Sequence, residues 1–257
     1  MSLLEINCLS KAFGGLNAVS DVSFHVDEGE IVGLIGPNGA GKTTVFNLIT
    51  GIIHPDSGQV LFRGEELTAL APHDVARVGV ARTFQNIRLF KDMSVLDNVR
   101  VSFHSRLSYG VGQGAFHGKR FVEEENRTYS QAMELLARFG LDDKADVSAG
   151  NLPYGTQRRL EIARALALDP RVLLLDEPAA GMNPNELSSL RELIGSLRTE
   201  FGLTVLLIEH QMGLVMNLCE RIVVMDFGQV IARGLPHEIR QNATVLEAYL
   251  GRGVAVS

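Results

Sequence analysis

The stretch Gly36-Pro37-Asn38-Gly39-Ala40-Gly41-Lys42-Thr43 matches the phosphate-loop pattern G-x-x-x-x-G-K-[ST]. The apolar run before it, residues 31–35, predicts a buried strand that leads into the loop. Residues 44–49 then predict a helix that ends at Gly51. The alternative is a glycine-rich turn that matches by chance, but it does not explain why strand, loop and helix follow in this order. We therefore expect this stretch to bind a nucleoside triphosphate.

The residue types of this phosphate loop suit phosphate chemistry. Glycines let backbone N–H groups approach phosphate oxygens closely, and a helix N-terminus adds partial positive charge. Lys42 is expected to reach the β- and γ-phosphates, and the Thr43 hydroxyl is expected to bind Mg²⁺. The predicted nucleotide contacts from this region are Gly36, Pro37, Asn38, Gly39, Ala40, Gly41, Lys42, Thr43 and Thr44.

Length and composition indicate an ordinary globular protein. The 257 residues are 46% hydrophobic and 21% charged, which suits one large α/β domain or a core with a subdomain. The net charge of −6 argues against a nucleic-acid partner. No apolar run approaches the roughly 20 residues that span a bilayer, and the N-terminus lacks a secretion signal. We therefore expect a cytoplasmic location.

The second half of the chain alternates between strand and helix patterns. The apolar residues 172–175 end at Asp176 and Glu177, and residues 205–208 end at Glu209 and His210. Such uninterrupted runs predict a parallel sheet covered on both faces, whose carboxyl ends share one edge. At that edge Asp176 would hold Mg²⁺ beside Thr43 and Glu177 would act as general base.

Three other features have weaker signals. His210 would contact the γ-phosphate at the same edge, although a histidine at a strand end is usually structural or solvated. Phe13 either stacks on an adenine ring or packs in the core. Gln85 lies in a polar break and, taken alone, is a solvated loop amide.

In the segment 151–166, Pro153 and Gly155 lie before a predicted helix that has one apolar face. The N–H groups at the start of such a helix can meet an anion. Upstream, the alternating residues 22–27 predict an N-terminal antiparallel β region, and residues 123–139 predict part of a helical insertion.

Together these motifs resemble the ATPase subunits of ABC transporters. The phosphate loop, Gln85, the Gly155 segment, residues 175–178 and His210 follow in the order of that family, over essentially the whole chain. The resemblance implies an α/β fold, with a RecA-like P-loop NTPase parallel-sheet core, an N-terminal antiparallel β subdomain and an inserted helical subdomain. We place the core with its β subdomain at residues 1–86 and 161–257, and the helical subdomain at 87–160, within a single domain 1–257.

The resemblance also implies that two such subunits enclose two ATP molecules. Each site takes its phosphate loop from one subunit and its signature helix from the other. By position, the implied roles are adenine stacking for Phe13, Mg²⁺ binding for Thr43, Gln85 and Asp176, general base for Glu177, γ-phosphate contact for His210, and signature contacts for Tyr154, Gly155 and Thr156.

The signature departs from the common Leu-Ser-Gly-Gly-Gln. Pro153 replaces the Ser, Tyr154 the first Gly and Thr156 the Gln. Losing the Ser hydroxyl removes a donor to the opposing γ-phosphate, so Gly155 and the helix N–H groups must contribute more.

These departures resemble the ATPase subunits of branched-chain amino acid importers, as do residues 13–16, 82–85, 179–184 and 247–251. That resemblance implies two membrane permeases, an extracytoplasmic binding protein, a second ATPase subunit and a place on the cytoplasmic face of the inner membrane. It also makes Arg88, Leu89, Phe90 and Met93 candidates either for contact with a permease or for the core.

Other functions remain open at this point. The same motor would serve another cargo, as in urea import or lipopolysaccharide export. A soluble ABC ATPase of repair or translation often has two nucleotide domains, whereas this chain has one phosphate loop and no repeat. A GTPase or a small-molecule kinase is disfavoured, because the guanine-reading Asn-Lys-x-Asp is missing.

Overall fold

The computed structural model describes residues 2–103 and 119–250, and these contain two β-sheets. In chain order the strands are β1 (Ser2–Phe13), β2 (Leu16–Asp27), β3 (Ile31–Ile35), β4 (Ser57–Phe62), β5 (Glu65–Glu66), β6 (Val80–Arg82), β7 (Val172–Asp176), β8 (Thr204–Ile208), β9 (Arg221–Asp226) and β10 (Gln229–Gly234). The first sheet has the order β2-β1-β4-β5, and the second has the order β10-β9-β3-β8-β7-β6.

The α-helices of the described residues are α1 (Lys42–Ile49), α2 (Pro72–Val78), α3 (Val95–Phe103), α4 (Lys119–Arg138), α5 (Tyr154–Leu166), α6 (Pro184–Phe201), α7 (Met212–Leu218), α8 (Pro236–Gln241) and α9 (Ala243–Leu250). In the part of the chain that the structure describes, no helix combines the length and the apolar character needed to cross a membrane.

The chain divides into two compact units, one formed by Met1–Gln85 with Arg171–Ser257 and the other by Asn86–Pro170. The first unit contains both sheets, and the second contains α3, α4 and α5. The boundary predicted at residue 160 lies inside α5. This helix continues to Leu166 because its buried face extends through Ala165 and Leu166.

The larger sheet is mainly parallel, as its apolar runs predicted. Strands β3, β7 and β8 are buried at every residue, and each pairs in parallel with its neighbours. Strand β9 is also parallel to β3, and β10 returns antiparallel to β9 as a hairpin. The register that pairs Asp176 with Ile208 brings the carboxyl ends of β7 and β8 to one edge. That edge is where polar residues of both strands can meet.

The N-terminal sheet is antiparallel and amphipathic. Val22, Phe24 and Val26 of β2 are buried and alternate with more accessible residues, as the sequence pattern predicted. The buried residues of this sheet form one cluster with Phe46 of α1 and Val32 of β3. The β subdomain therefore shares its core with the strand and the helix that flank the phosphate loop.

Replacement of Gly36 by alanine tests how tightly the phosphate loop is packed. Gly36 has φ 151°, and a Cβ there would lie 2.0 Å from the Met225 carbonyl oxygen. Overpacking and an unfavourable φ each cost about 1–3 kcal/mol, so Gly36→Ala is expected to lower the free energy of unfolding by about 3 kcal/mol. Urea denaturation followed by circular dichroism measures the loss.

Gly64→Ala is the control for the backbone contribution alone. Gly64 has φ 81°, but nothing lies within 4 Å of a Cβ built there. This change should cost about 1 kcal/mol. Equal losses for the two variants would contradict the close approach of Gly36 to Met225.

Candidate active site

The phosphate loop encloses the side chain of Lys42, the first residue of α1. Lys42 is only 5% exposed, and its Nζ donates hydrogen bonds to the carbonyl oxygens of Gly36 (2.8 Å) and Pro37 (2.9 Å). Gly41 caps the helix with φ 98°, and a Cβ there would lie 2.3 Å from the Ala18 carbonyl oxygen. Glycine is therefore required at this position both by conformation and by space.

The electrostatics of the loop follow from this burial. Desolvation lowers the pKa of Lys42, and the negative charges of Glu177 and Asp176 act in the opposite direction. Asp176 is the last residue of β7 and Glu177 follows it, and both carboxylates lie close enough to the ammonium group to raise its pKa. The structure thus brings together the lysine and the acidic pair that the sequence predicted for one site.

Glu177 joins two other predicted site residues through its carboxylate. His210 Nε2 lies 2.6 Å from Oε1, and Gln85 Nε2 donates to Oε2 at 2.6 Å. An ionised carboxylate only accepts hydrogen bonds, so the His210 Nε2 carries the proton in this arrangement. Gln85 is exposed, and both Gln85 and His210 contact the carboxylate of Glu177.

The backbone at Glu177 is strained. Its φ is 46°, in the left-handed region that a residue with a Cβ seldom adopts. The Glu177 N–H donates to the Ile208 carbonyl oxygen at 2.9 Å, which ties the residue to the end of β8. Strain of this kind persists only where the surrounding structure compensates for it, and it is found most often at functional sites.

Asp176 forms a buried ion pair with Arg82. The Arg82 Nη2 donates to Oδ2 at 2.7 Å, and the two side chains are 5% and 3% exposed. Arg82 Nη1 also donates to Oδ1 of Asn47 in α1 at 2.7 Å. The other carboxylate oxygen of Asp176, Oδ1, is buried and has no hydrogen-bond partner among the described residues. An acceptor of this kind suits a cation.

Sequence reasoning missed the role of Arg82, which it named only as part of the stretch 82–85. The preceding residues Val80 and Ala81 are buried, and they make β6 a short edge strand parallel to β7. The apolar pair Val80 and Ala81 was the only sequence feature that indicated a strand here. The strand has three residues, which are too few to be distinguished from a loop by periodicity.

Phe13 lies at the end of the hairpin between β1 and β2. Its side chain is 49% exposed, and Lys11 Nζ lies 5.8 Å from the ring centroid. Phe13 is therefore not a core residue, and its ring is accessible to a stacking partner.

The predicted signature contacts lie in the second unit, at the N-terminus of α5. Pro153 is the N-cap, and its carbonyl oxygen accepts the N–H groups of Thr156 and Gln157, both at 2.9 Å. Tyr154 is 46% exposed, and Gly155 is partly exposed. The helix thus presents Tyr154 and Gly155 at its start, while the Thr156 N–H is used within the turn.

Comparison with known proteins identifies the family. The family model described as ABC transporter matches residues 19–180, and the model described as branched-chain amino acid ATP-binding cassette transporter matches residues 229–255. This chain belongs to the ABC transporter family. The prediction of a P-loop NTPase fold that binds nucleotide is therefore confirmed.

Individual relatives support the assignment over nearly the full length. The chain is 48% identical to the high-affinity branched-chain amino acid transport ATP-binding protein BraF of Pseudomonas aeruginosa, over 97% of this chain and 98% of that one. Identity to the lipopolysaccharide export system ATP-binding protein LptB of Haemophilus influenzae is 35%, over 98% of both chains. The ADP conformation of MJ1267, an ATP-binding cassette of an ABC transporter, superposes with a TM-score of 0.85 at 32% identity, covering 98% of this chain and 100% of that one.

Removing Arg82 tests the buried ion pair. Arg82→Gln leaves the Asp176 carboxylate buried without a cationic partner at bonding distance. Breaking a buried pair in this way typically costs about 3–5 kcal/mol, so we expect a loss of that size in the free energy of unfolding. Chemical denaturation without nucleotide measures it.

The matched control is Arg198→Gln. Arg198 Nη1 also lies 2.7 Å from a carboxylate oxygen, Oε1 of Glu220, but these side chains are 41% and 43% exposed. Because water screens such a pair, its loss should cost less than about 1 kcal/mol. If Arg82→Gln were as mild as this control, the buried pair would not be a structural requirement.

Proposed function

We propose that this protein is the ATP-hydrolysing subunit of a membrane importer for branched-chain amino acids. The observation that carries the hydrolytic part is the Glu177 carboxylate, which contacts His210 and Gln85 at the same sheet edge as the phosphate loop. The cargo is inferred from BraF, which is named for branched-chain amino acid transport and is 48% identical to this chain. The identity to the lipopolysaccharide export protein LptB is lower, at 35%, and favours the amino acid importer over that alternative.

ATP would bind first through its phosphates and its base. The backbone N–H groups of residues 41–44, at the start of α1, would face the phosphates, and Lys42 would exchange one or both of its carbonyl partners for phosphate oxygens. The accessible ring of Phe13 stacks on the adenine.

A magnesium ion fits the residues at this edge. The buried Oδ1 of Asp176, which lacks a partner among the described residues, suits a hard cation, and the exposed Thr43 supplies a hydroxyl. We assign the ion to Thr43, Gln85 and Asp176. When bound, Mg²⁺ neutralises part of the charge on the phosphates.

Hydrolysis would follow an in-line attack of water on the γ-phosphorus. Glu177 accepts the proton of the attacking water as the new P–O bond forms, and the bond to the bridging oxygen of ADP breaks. His210 holds the Glu177 carboxylate through Nε2 and contacts the γ-phosphate, and Lys42 stabilises the charge that develops on it. The products are ADP and phosphate.

The second half of each site would come from another ATPase subunit, a second copy or a paralogue. Tyr154, Gly155 and Thr156 of one subunit face the ATP held by the phosphate loop of the other. Since the Thr156 N–H is used within the turn, Tyr154 and Gly155 supply the backbone donors. ATP binding then closes the dimer, and this closure would power transport.

The proposed membrane partners are two permease subunits, which receive substrate from an extracytoplasmic binding protein. Phe90 is 50% exposed, and Asn98 Oδ1 and Nδ2 bond its N–H (2.9 Å) and carbonyl oxygen (3.0 Å). The Phe90 side chain is therefore an exposed aromatic on a hydrogen-bonded loop, and aromatic residues are enriched at interfaces. Leu89 is buried and belongs to the core, which leaves Arg88, Phe90 and Met93 for the permease contact at the cytoplasmic face of the inner membrane.

Glu177→Gln is the test of the proposed chemistry. The complex is purified through a tag on this chain from detergent-solubilised membranes, and its composition is determined by mass spectrometry. We expect two permeases and a second ATPase in the wild-type complex. Glu177→Gln should assemble and bind ATP in the same way, with turnover reduced at least about 100-fold, because glutamine cannot accept the proton.

The control is Glu192→Gln, an exposed carboxylate on α6 that should leave turnover unchanged. Wild-type turnover in the Glu177→Gln complex would remove Glu177 as the base. Recovery of the tagged chain only from the soluble fraction, with nucleic-acid or ribosomal proteins, would overturn the importer and favour a soluble ABC ATPase.

A further inference from the structure

Glu209, the residue before His210, is an acidic side chain buried at the end of β8. Only 2% of it is exposed, although the sequence predicts no role for it. Its Oε1 accepts the Ala179 N–H at 2.7 Å, and its Oε2 accepts the N–H groups of His210 at 2.9 Å and Gln211 at 3.1 Å. A buried carboxylate is therefore satisfied by three backbone donors from two segments of the chain.

Gln211, on the other side of His210 in the sequence, also bonds to Ala179. Its Nε2 donates to the Ala179 carbonyl oxygen at 3.0 Å. Both backbone polar groups of Ala179 are thus bonded by the two residues that flank His210. We call Ala179, Glu209 and Gln211, with these four hydrogen bonds, the Glu209 clasp.

The clasp lies next to the reacting carboxylate. Ala179 follows Glu177 by two residues, and the clasp holds the backbone on either side of His210. The side chains of Glu177 and His210 are 2.6 Å apart at their closest atoms. The backbones that carry these two side chains are therefore connected by the Glu209 clasp and by the Glu177 N–H bond to Ile208.

Charge and geometry make Glu209 the dominant member. Hydrogen bonds from N–H groups to an ionised carboxylate are about twice as strong as neutral ones. Among the described residues no ammonium or guanidinium group pairs with Glu209, and a buried carboxylate of this kind needs such bonds. If residues 209–211 moved away from Ala179, the buried Glu209 carboxylate would lose the hydrogen bond from the Ala179 N–H. The cost of that loss favours the conformation in which the bond is made.

We propose that Glu209 is a positioning residue for hydrolysis, which holds the His210 ring at the distance from Glu177 that the reaction requires. The proposal rests on the proposed function, in which Glu177 and His210 act on water and the γ-phosphate. Glu209 touches neither the substrate nor the reacting atoms, and it acts through the backbones of Ala179 and His210.

The variant Glu209→Gln separates this role from simple packing. Glutamine has nearly the same shape, but it has one acceptor oxygen, and its NH₂ group would face a backbone donor. A misplacement of about 1 Å in a catalytic group costs up to about 100-fold in rate, so we expect kcat for ATP to fall about 10- to 100-fold. The dissociation constant for ATP should stay within about twofold, because the phosphate loop is unchanged. Gln211→Ala, which removes one bond of the clasp, should give a smaller fall in the same direction.

Nitrogen-15 NMR of labelled histidine supplies a readout of position. The Nε2–H of His210, assigned by its loss in His210→Gln, should show the signal of a proton bonded to a carboxylate in the wild type. Glu209→Gln should shift or broaden this signal before any nucleotide is added. A thermal unfolding scan of each variant checks that it is folded at the temperature of the assay.

The control is Glu30→Gln. Glu30 precedes β3, at the end of that strand that is opposite to the phosphate loop. Glu30 also accepts three N–H groups, two from Arg221 and one from Asp27, and its side chain is 15% exposed. This variant should leave both kcat and the His210 signal unchanged. A folded Glu209→Gln with wild-type kcat and an unshifted His210 signal would overturn the proposal.

The outcomes also distinguish this proposal from the proposed function. If His210→Gln abolishes turnover and Glu209→Gln does not change it, the hydrolytic site stands and only the positioning role fails. If the assembled wild-type complex does not hydrolyse ATP, the proposed function fails instead.

Discussion

A buried ammonium group at the carboxyl edge of the parallel sheet is the constraint on which the rest of this site depends. Removing the Lys42 charge from water is costly, and only a precise environment offsets the cost. Two carbonyl oxygens of the phosphate loop accept its hydrogen bonds, and Asp176 and Glu177 provide opposite charge nearby. The environment exists because β3 and β7 flank β8 in one parallel register. Because the ammonium group is already removed from water, it can bind phosphate oxygens without a further large desolvation cost.

Each acidic group at this edge is held by a different partner. Arg82 binds one oxygen of Asp176, Gln85 and His210 bind the two oxygens of Glu177, and three backbone N–H groups bind Glu209. Three carboxylates in one small region would repel one another without such donors. The division of partners also separates the roles. Asp176 keeps a buried oxygen suited to a cation, whereas Glu177, at the strained backbone position, carries the more exposed carboxylate.

Sequence reasoning predicted the parts of this site that depend on local pattern. The phosphate loop and the apolar runs ending at Asp176 and His210 predicted the central strands, because a parallel sheet requires continuous burial. The roles proposed for Phe13 and Gln85 come from the resemblance to a family, since the local pattern left stacking and packing open for Phe13 and indicated a loop amide for Gln85. Arg82 and Glu209 were missed because their partners are distant in sequence. Arg82 meets Asp176 across 94 positions, and Glu209 meets Ala179 across 30. The periodicity of a sequence indicates local elements only, so it cannot predict contacts between residues that are brought together when the sheet forms.

The most direct test of the account is thermal unfolding of the wild type and of Lys42→Met, each with and without Mg²⁺ and ATP. A ligand that binds only the folded state raises the unfolding midpoint in proportion to its binding free energy. The account predicts a clear rise for the wild type and little or none for Lys42→Met, with the midpoint of each protein without nucleotide as its own reference. An equal rise in both proteins would contradict it, because the buried ammonium group would then have no part in binding the phosphates.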